Sequence, residues 1–180
     1  MLELLSLDLV SKGLVTNQII LTIGYDIENL TNPEISKNYK GEVKIDHYGR
    51  KVPKHAHGTA NIESYTASTR LISQTTLKLY DEIVDKNLLV RRVTISANNL
   101  IPEKNVCEKK YEQLSLFINY DQLIANREIE KRKLQKERKL QEAMITIKSR
   151  YGKNAIIKGT NLQEGATSIE RNRQIGGHRA

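Results

Sequence analysis

Gln113-Leu114-Ser115-Leu116-Phe117 is the segment whose residue types best suit recognition. It lies between a polar stretch with Pro102 and a highly charged one from 121 onward, so Leu116 and Phe117 have no apolar run beside them to join. A short exposed peptide of this kind suits docking. Its two terminal apolar side chains fill a pocket, and the Gln amide fixes register by hydrogen bonding. Burying each apolar side chain is worth about 1.5–3 kcal/mol before ordering costs. That scale gives roughly micromolar binding, near −8 kcal/mol. The same five residues also suit the start of a strand or helix folded back on its domain, and five positions alone do not separate the two.

A second group is basic. Arg50, Lys51, Lys54, His55, His57 and Thr59 lie close together, and Arg91 and Arg92 follow later. Cations, imidazoles and hydroxyls of this kind suit phosphate contact, which positions a protein on nucleic acid without reading bases. Residues 37–57 carry a local net charge of +4. A solvated loop of ordinary charge is the competing reading. Period-two alternation places Lys54 and Ala56 on one side of a strand and His55 and His57 on the other.

Other chemistry is poorly supported. His47, His55 and His57 are too few for a zinc site, which wants four ligands, and no Cys or carboxylate pair supports them at a suitable spacing. No cofactor or metal is expected. Asp81, Glu82 and Asp85 share one helical turn without an acid or base partner, as a solvated helix face does. Gly176-Gly177 lacks the strand-loop-helix setting of a phosphate cradle. No nucleophile-base constellation is present, so a hydrolase or transferase is disfavoured.

The elements that must position these residues follow from pattern. Residues 1–13 read as an amphipathic helix with Leu2, Leu5, Leu9 and Val10 on one face and Gly13 as its stop. Asn17–Tyr25 is a β-branched run of strand length. Residues 26–53 read as a long loop or irregular hairpin arm, and Lys54–Ile62 as a second strand. Thr66–Lys86 reads as a helix with a Leu71, Thr75, Leu79, Ile83 stripe and Thr66 or Ser68 as N-cap. Leu88–Ala97 alternates as a strand. The order predicts an α+β fold, a small antiparallel or mixed sheet with helices on one face. Four regions result: an α+β domain over 1–100, a linker with the docking peptide over 101–120, a charged helix over 121–150, and a flexible tail over 151–180.

Composition agrees. The net charge is +8, of which residues 101–180 hold +7. A basic region favours a polyanionic partner, although a solubilising tail also fits. One cysteine, Cys107, excludes an internal disulfide and fits a cytosolic compartment. No membrane span or signal peptide is legible.

In combination these segments resemble the little-finger domain and clamp-binding tail of Y-family translesion DNA polymerases. The similarity is greatest to UmuC-like repair polymerases of Gram-positive bacteria. The residues that carry it are Leu21-Thr22-Ile23-Gly24-Tyr25, the arm Asp46–Asn61, Arg91-Arg92-Val93-Thr94-Ile95, the Gln113–Phe117 peptide, and the tail segments Lys153–Ile156 and Arg171–His178. The pentapeptide resembles the motif by which bacterial repair proteins hold the ring-shaped sliding clamp. The resemblance makes residues 1–100 a little-finger-like DNA-binding domain and implies damaged or primer-template DNA and the clamp as partners, in DNA-damage tolerance. It also implies that catalysis belongs to a palm domain upstream, with two metal ions, so these residues alone are not expected to polymerise DNA. The family's little finger opens with a strand before the first helix. This chain opens within that helix, so the expectation is a sheet one strand short, with an unpaired apolar edge, marginal stability and a tendency to self-associate. A regulatory protein that docks on the clamp without touching DNA is the alternative.

Overall fold

The computed structural model describes residues 1–37, 39–106, 120–175 and 178–179. The chain divides into two compact units, Met1–Lys110 and Tyr111–Ala180. It is an α+β protein with an antiparallel main sheet. Among the described residues no helix is long and apolar enough to cross a membrane.

The first unit opens with α1 (Leu2–Ser11), in which Leu7, Leu9 and Val10 are buried. Leu2 and Leu5, expected on the buried face, are only half-buried. Gly13 ends the helix in the left-handed region, at φ 62°, a conformation that other residues adopt only with strain. The chain then enters β1 (Leu14–Tyr25). Two short helices follow, α2 (Glu28–Thr31) and α3 (Pro33–Ser36), then a hairpin of β2 (Val43–Ile45) and β3 (Lys51–Pro53). The stretch read as loop or hairpin arm is therefore helical first and hairpin second. β4 (Ala56–Thr66) leads into α4 (Thr69–Ile83), whose N-cap Ser68 accepts the Leu71 N–H at 3.2 Å. β5 (Val90–Asn98) and the short β6 (Ile101–Pro102) complete the unit.

The sheet order is β4-β1-β5, with β6 on the first residues of β1. β4 and β5 both run antiparallel to β1, so β4-α4-β5 is a parallel pair split by the strand between them. Alternation along β1 buries Ile19, Leu21, Ile23 and Tyr25 beneath the helices. Leu79 and Val84 meet them, flanked by Ala56, Ala60, Ile83, Val93 and Ile95. The buried face of α4 is Ile72, Thr76 and Leu79; of the expected stripe, Leu79 is buried and Ile83 packs against the core, while Leu71 and Thr75 are half-buried. Thr76 tolerates its burial because its hydroxyl donates back to the Ile72 carbonyl at 2.7 Å. Gly58 lies where α4 crosses closest: a Cβ there would be 2.9 Å from Leu79 Cδ1.

Residues 101–102, read as linker, belong to the sheet. Leu14 pairs with Pro102 and Val15 with Ile101, and Glu103 N–H donates to the Gly13 carbonyl at 2.9 Å. Pro is accommodated because this ladder lies at the end of the strand. Among the described residues, β4 and β5 have no further strand neighbours. β5 exposes Val90 but also Arg91, Arg92, Ser96 and Asn98, and charged residues of this kind are how natural edge strands resist pairing.

The second unit holds α5 (Tyr120–Tyr151), about 48 Å long at 1.5 Å per residue. Ion pairs Glu128–Arg132 and Arg138–Glu142 lie along it at i, i+4. The tail, expected to be flexible, carries short structure. It has a 3-10 turn (Gly159–Leu162), α6 (Ser168–Asn172) and the paired β7 (Gln174–Ile175) and β8 (His178–Arg179). Asn154 organises it, accepting from Asn172 Nδ2 at 2.7 Å and donating to the Ile169 carbonyl at 3.3 Å. Side-chain amides substitute here for a core that so polar a segment lacks.

Candidate nucleic-acid interface

Within the first unit, α1 and α4 cover one face of the main sheet and leave the other uncovered. Period-two alternation decides which residues line it. β1 contributes Gln18, Ile20, Thr22 and Gly24. Register then sets their neighbours: Asn61, Thr59 and His57 from β4, and Asn98, Ser96, Thr94 and Arg92 from β5. Three strands at about 4.8 Å spacing make a face about 10 Å across. Seven residues of β1 run about 20 Å along it. The width is comparable to the B-DNA major groove, about 12 Å.

The face is held together by its own side chains. Gln18 Nε2 donates to Asn61 Oδ1 at 2.9 Å, and Asn98 Nδ2 donates to Gln18 Oε1 at 2.7 Å. An amide chain thus crosses all three strands. Thr22 Oγ1 shares a hydrogen bond with His57 Nδ1 at 2.9 Å, which leaves Nε2 as the imidazole nitrogen available to a ligand. His55 stands edge-on to His57, with ring centres 6.4 Å apart. The two rings are neighbours, although His55, like Lys54, precedes β4.

Charge is concentrated at one end. The β1–β5 register shifts between Gly24 and Tyr25, so that Arg92 opposes Gly24, Val90 opposes Tyr25, and Arg91 is the extra residue. A bulge of this kind re-aims side chains at a sheet margin. Gly24 keeps the surface beside Arg92 low, since a Cβ there would touch Arg92 Cβ at 3.5 Å. Neither arginine has a carboxylate partner among the described residues. Glu63 lies toward the far end of β4, so the positive end of the face is the one with His57, Arg91 and Arg92.

The structure separates the candidates found by sequence. His57, Thr59 and Arg92 share the open face, with Arg91 at the bulge and His55 beside His57. Arg50, Lys51 and Lys54 belong to the hairpin, where two are already engaged. Asp46 Oδ2 accepts Arg50 Nε at 2.9 Å and Nη2 at 2.7 Å. Lys54 Nζ lies 2.7 Å from Glu42 Oε2. The hydrogen bond from Arg50 holds the Asp46 carboxyl below its ordinary value, with main-chain N–H donors adding to it. The hydrogen bond from Lys54, and then its charge, does the same for Glu42. Each cation is reciprocally raised by its hydrogen bond to the carboxylate.

Sequence reasoning missed Gln18, Thr22, Asn61, Thr94, Ser96 and Asn98. Their signal was the polar half of the alternation in β1, β4 and β5, which yields a surface only when strands are paired. Among the described residues no three His, Cys, Asp or Glu side chains gather as a metal site. Asp81 pairs with Lys86 at 2.7 Å, and Asp85 Oδ1 accepts the Asn87 N–H at 2.9 Å, so these carboxylates have structural partners. Gln113–Phe117, Cys107 and Gly176-Gly177 lie outside the described residues. No protein-family model matches the chain, and no curated protein matches its sequence.

Proposed function

We propose that the chain is a DNA-binding and clamp-docking module of a translesion repair polymerase of the UmuC-like type, working in the cytosol. The exposed sheet face carries the reading: a largely polar surface about as wide as a major groove, with two arginines at one end that have no ion-pair partner among the described residues. Its neutral hydroxyls and amides suit phosphate and sugar contact, which orients a protein without specifying sequence. The Gln113–Phe117 peptide supports docking on the sliding clamp through its residue types. No catalytic step is assigned to these residues.

Fluorescence anisotropy with duplexes of unrelated sequence tests the DNA reading. With few cations on the face, the logarithmic salt slope is modest, about −0.9 for each phosphate neutralised. Replacing Arg91 and Arg92 with Ala lowers its magnitude by about two on that scale. A strong sequence preference, or affinity indifferent to salt, refutes the reading. Clamp binding without any DNA affinity establishes the regulatory alternative in its place.

A further inference from the structure

The β2–β3 hairpin presents an aromatic and apolar surface that the fold does not use. Tyr48 is 78% exposed and Ile45 71%. Single exposed apolar side chains are ordinary; what distinguishes Tyr48 is the hydrogen-bonded turn that holds it. Asp46 Oδ1 accepts the main-chain N–H groups of Tyr48 and Arg50, each at 2.9 Å, while Oδ2 takes the Arg50 guanidinium. Gly49 closes the turn at φ 76°, and its N–H donates to the Asp46 carbonyl at 3.0 Å. The Arg50 guanidinium carbon lies 5.1 Å from the Tyr48 ring centre, and the His47 ring stands edge-on to it at 5.5 Å. The aromatic ring is thus preorganised and still open to solvent.

Charge identifies the partner. The two carboxylates of the hairpin, Glu42 and Asp46, are taken up by Lys54 and Arg50. Lys44 and Lys51 have no ion pair at hydrogen-bonding distance among the described residues. Register pairs Lys51 with Ile45 and Lys44 with Val52, so the two lysines lie on opposite faces of the ribbon. An aromatic platform flanked by two lysines that make no hydrogen-bonded ion pair among the described residues is complementary to a flat base joined to phosphates. β3 leads through Lys54 and His55 directly into β4, which carries His57 and Thr59 on the open face.

We propose that the hairpin tip is a stacking site for an unpaired nucleic-acid base, with Tyr48 as the platform and Lys44 and Lys51 as phosphate contacts. The proposal rests on the DNA-binding reading above and adds a preference for DNA that is partly single-stranded. The test uses the full chain with two probes: a blunt duplex, and the same duplex extended by a 5′ overhang carrying 2-aminopurine at its first unpaired position. The junction binds roughly tenfold more tightly than the blunt duplex, the scale of one stacked base, and the 2-aminopurine emission is quenched. Tyr48→Leu abolishes both effects and leaves blunt-duplex affinity unchanged, which also shows that the variant is folded. Tyr48→Phe retains both. Blunt-duplex binding with no junction preference, or an unimpaired Tyr48→Leu, overturns the stacking site alone. Binding to neither probe overturns the DNA reading on which it rests.

Discussion

Replacing Asn29 with Ala tests how the positive end of the sheet is held in place. Asn29 is fully buried. Its Oδ1 accepts the Leu89 N–H at 2.8 Å, and its Nδ2 donates to the Leu89 and Asp26 carbonyls, each at 2.9 Å. Leu89 immediately precedes β5 and its arginine-bearing bulge. Truncation removes three hydrogen bonds. The Leu89 carbonyl keeps the Asp26 N–H at 2.9 Å, whereas the Leu89 N–H is left without its acceptor. At about 1 kcal/mol for each lost bond, and more for a buried donor left unpaired, the loss is about 3 kcal/mol. For a unit of this size the melting temperature falls by roughly 12–24 °C. Asn29→Asp sharpens the test. A carboxylate turns its second oxygen toward two carbonyls, so burial and repulsion raise its pKa in the folded state. A raised acid pKa makes the variant most stable below its unfolded value, with stability lost as pH rises through the folded value. Urea unfolding of parent and both variants at about pH 3 and pH 7 measures this, on either side of the ordinary carboxylate range. An Asn29→Ala loss under about 1 kcal/mol, or an Asn29→Asp variant whose pH response matches the parent's, refutes the reasoning.

Further outcomes concern the docking peptide, the hairpin and the sheet glycines. Leu116→Ala with Phe117→Ala removes most affinity for a bacterial sliding clamp by calorimetry, because these side chains supply the buried area of the peptide; undiminished binding rules out the docking motif. Asp46 and Glu42 titrate below ordinary carboxylates in carbon-detected NMR, because Arg50 and Lys54 bind their charged forms. Their contribution to the hairpin is therefore present above the ordinary carboxylate value and is lost as pH falls through the depressed ones; Arg50→Ala returns Asp46 toward normal. Gly58→Ala destabilises the first unit by about 1–3 kcal/mol through overpacking against Leu79 and Ile83. Gly24→Ala, whose new methyl meets only ordinary contact distances, is nearly neutral in thermal unfolding.

The sequence by itself determined the α+β class and the places of the long elements. Period-two runs gave β1, β4 and β5 to within a few residues, and Gly13 and Ser68 marked where helices stop and start, because these signals are local steric and hydrogen-bonding preferences. It also exposed the Gln113–Phe117 peptide, through the mismatch between its apolar end and its polar surroundings. Only the tertiary structure decided which residues form a surface. His57, Thr22 and Thr94 lie far apart in the chain and come into line through strand register, which depends on long-range pairing. The bulge at Arg91, the recruitment of Ile101–Pro102 to the sheet and the capture of Leu89 by Asn29 are likewise contacts between distant segments. Arg50 and Lys54 look equivalent to Arg91 and Arg92 in a charge count. The turn geometry of the hairpin gives the first pair carboxylate partners, and the bulge in β5 leaves the second pair without any among the described residues. Residue type fixes the charge, and the fold decides whether that charge is already neutralised or remains available to a phosphate.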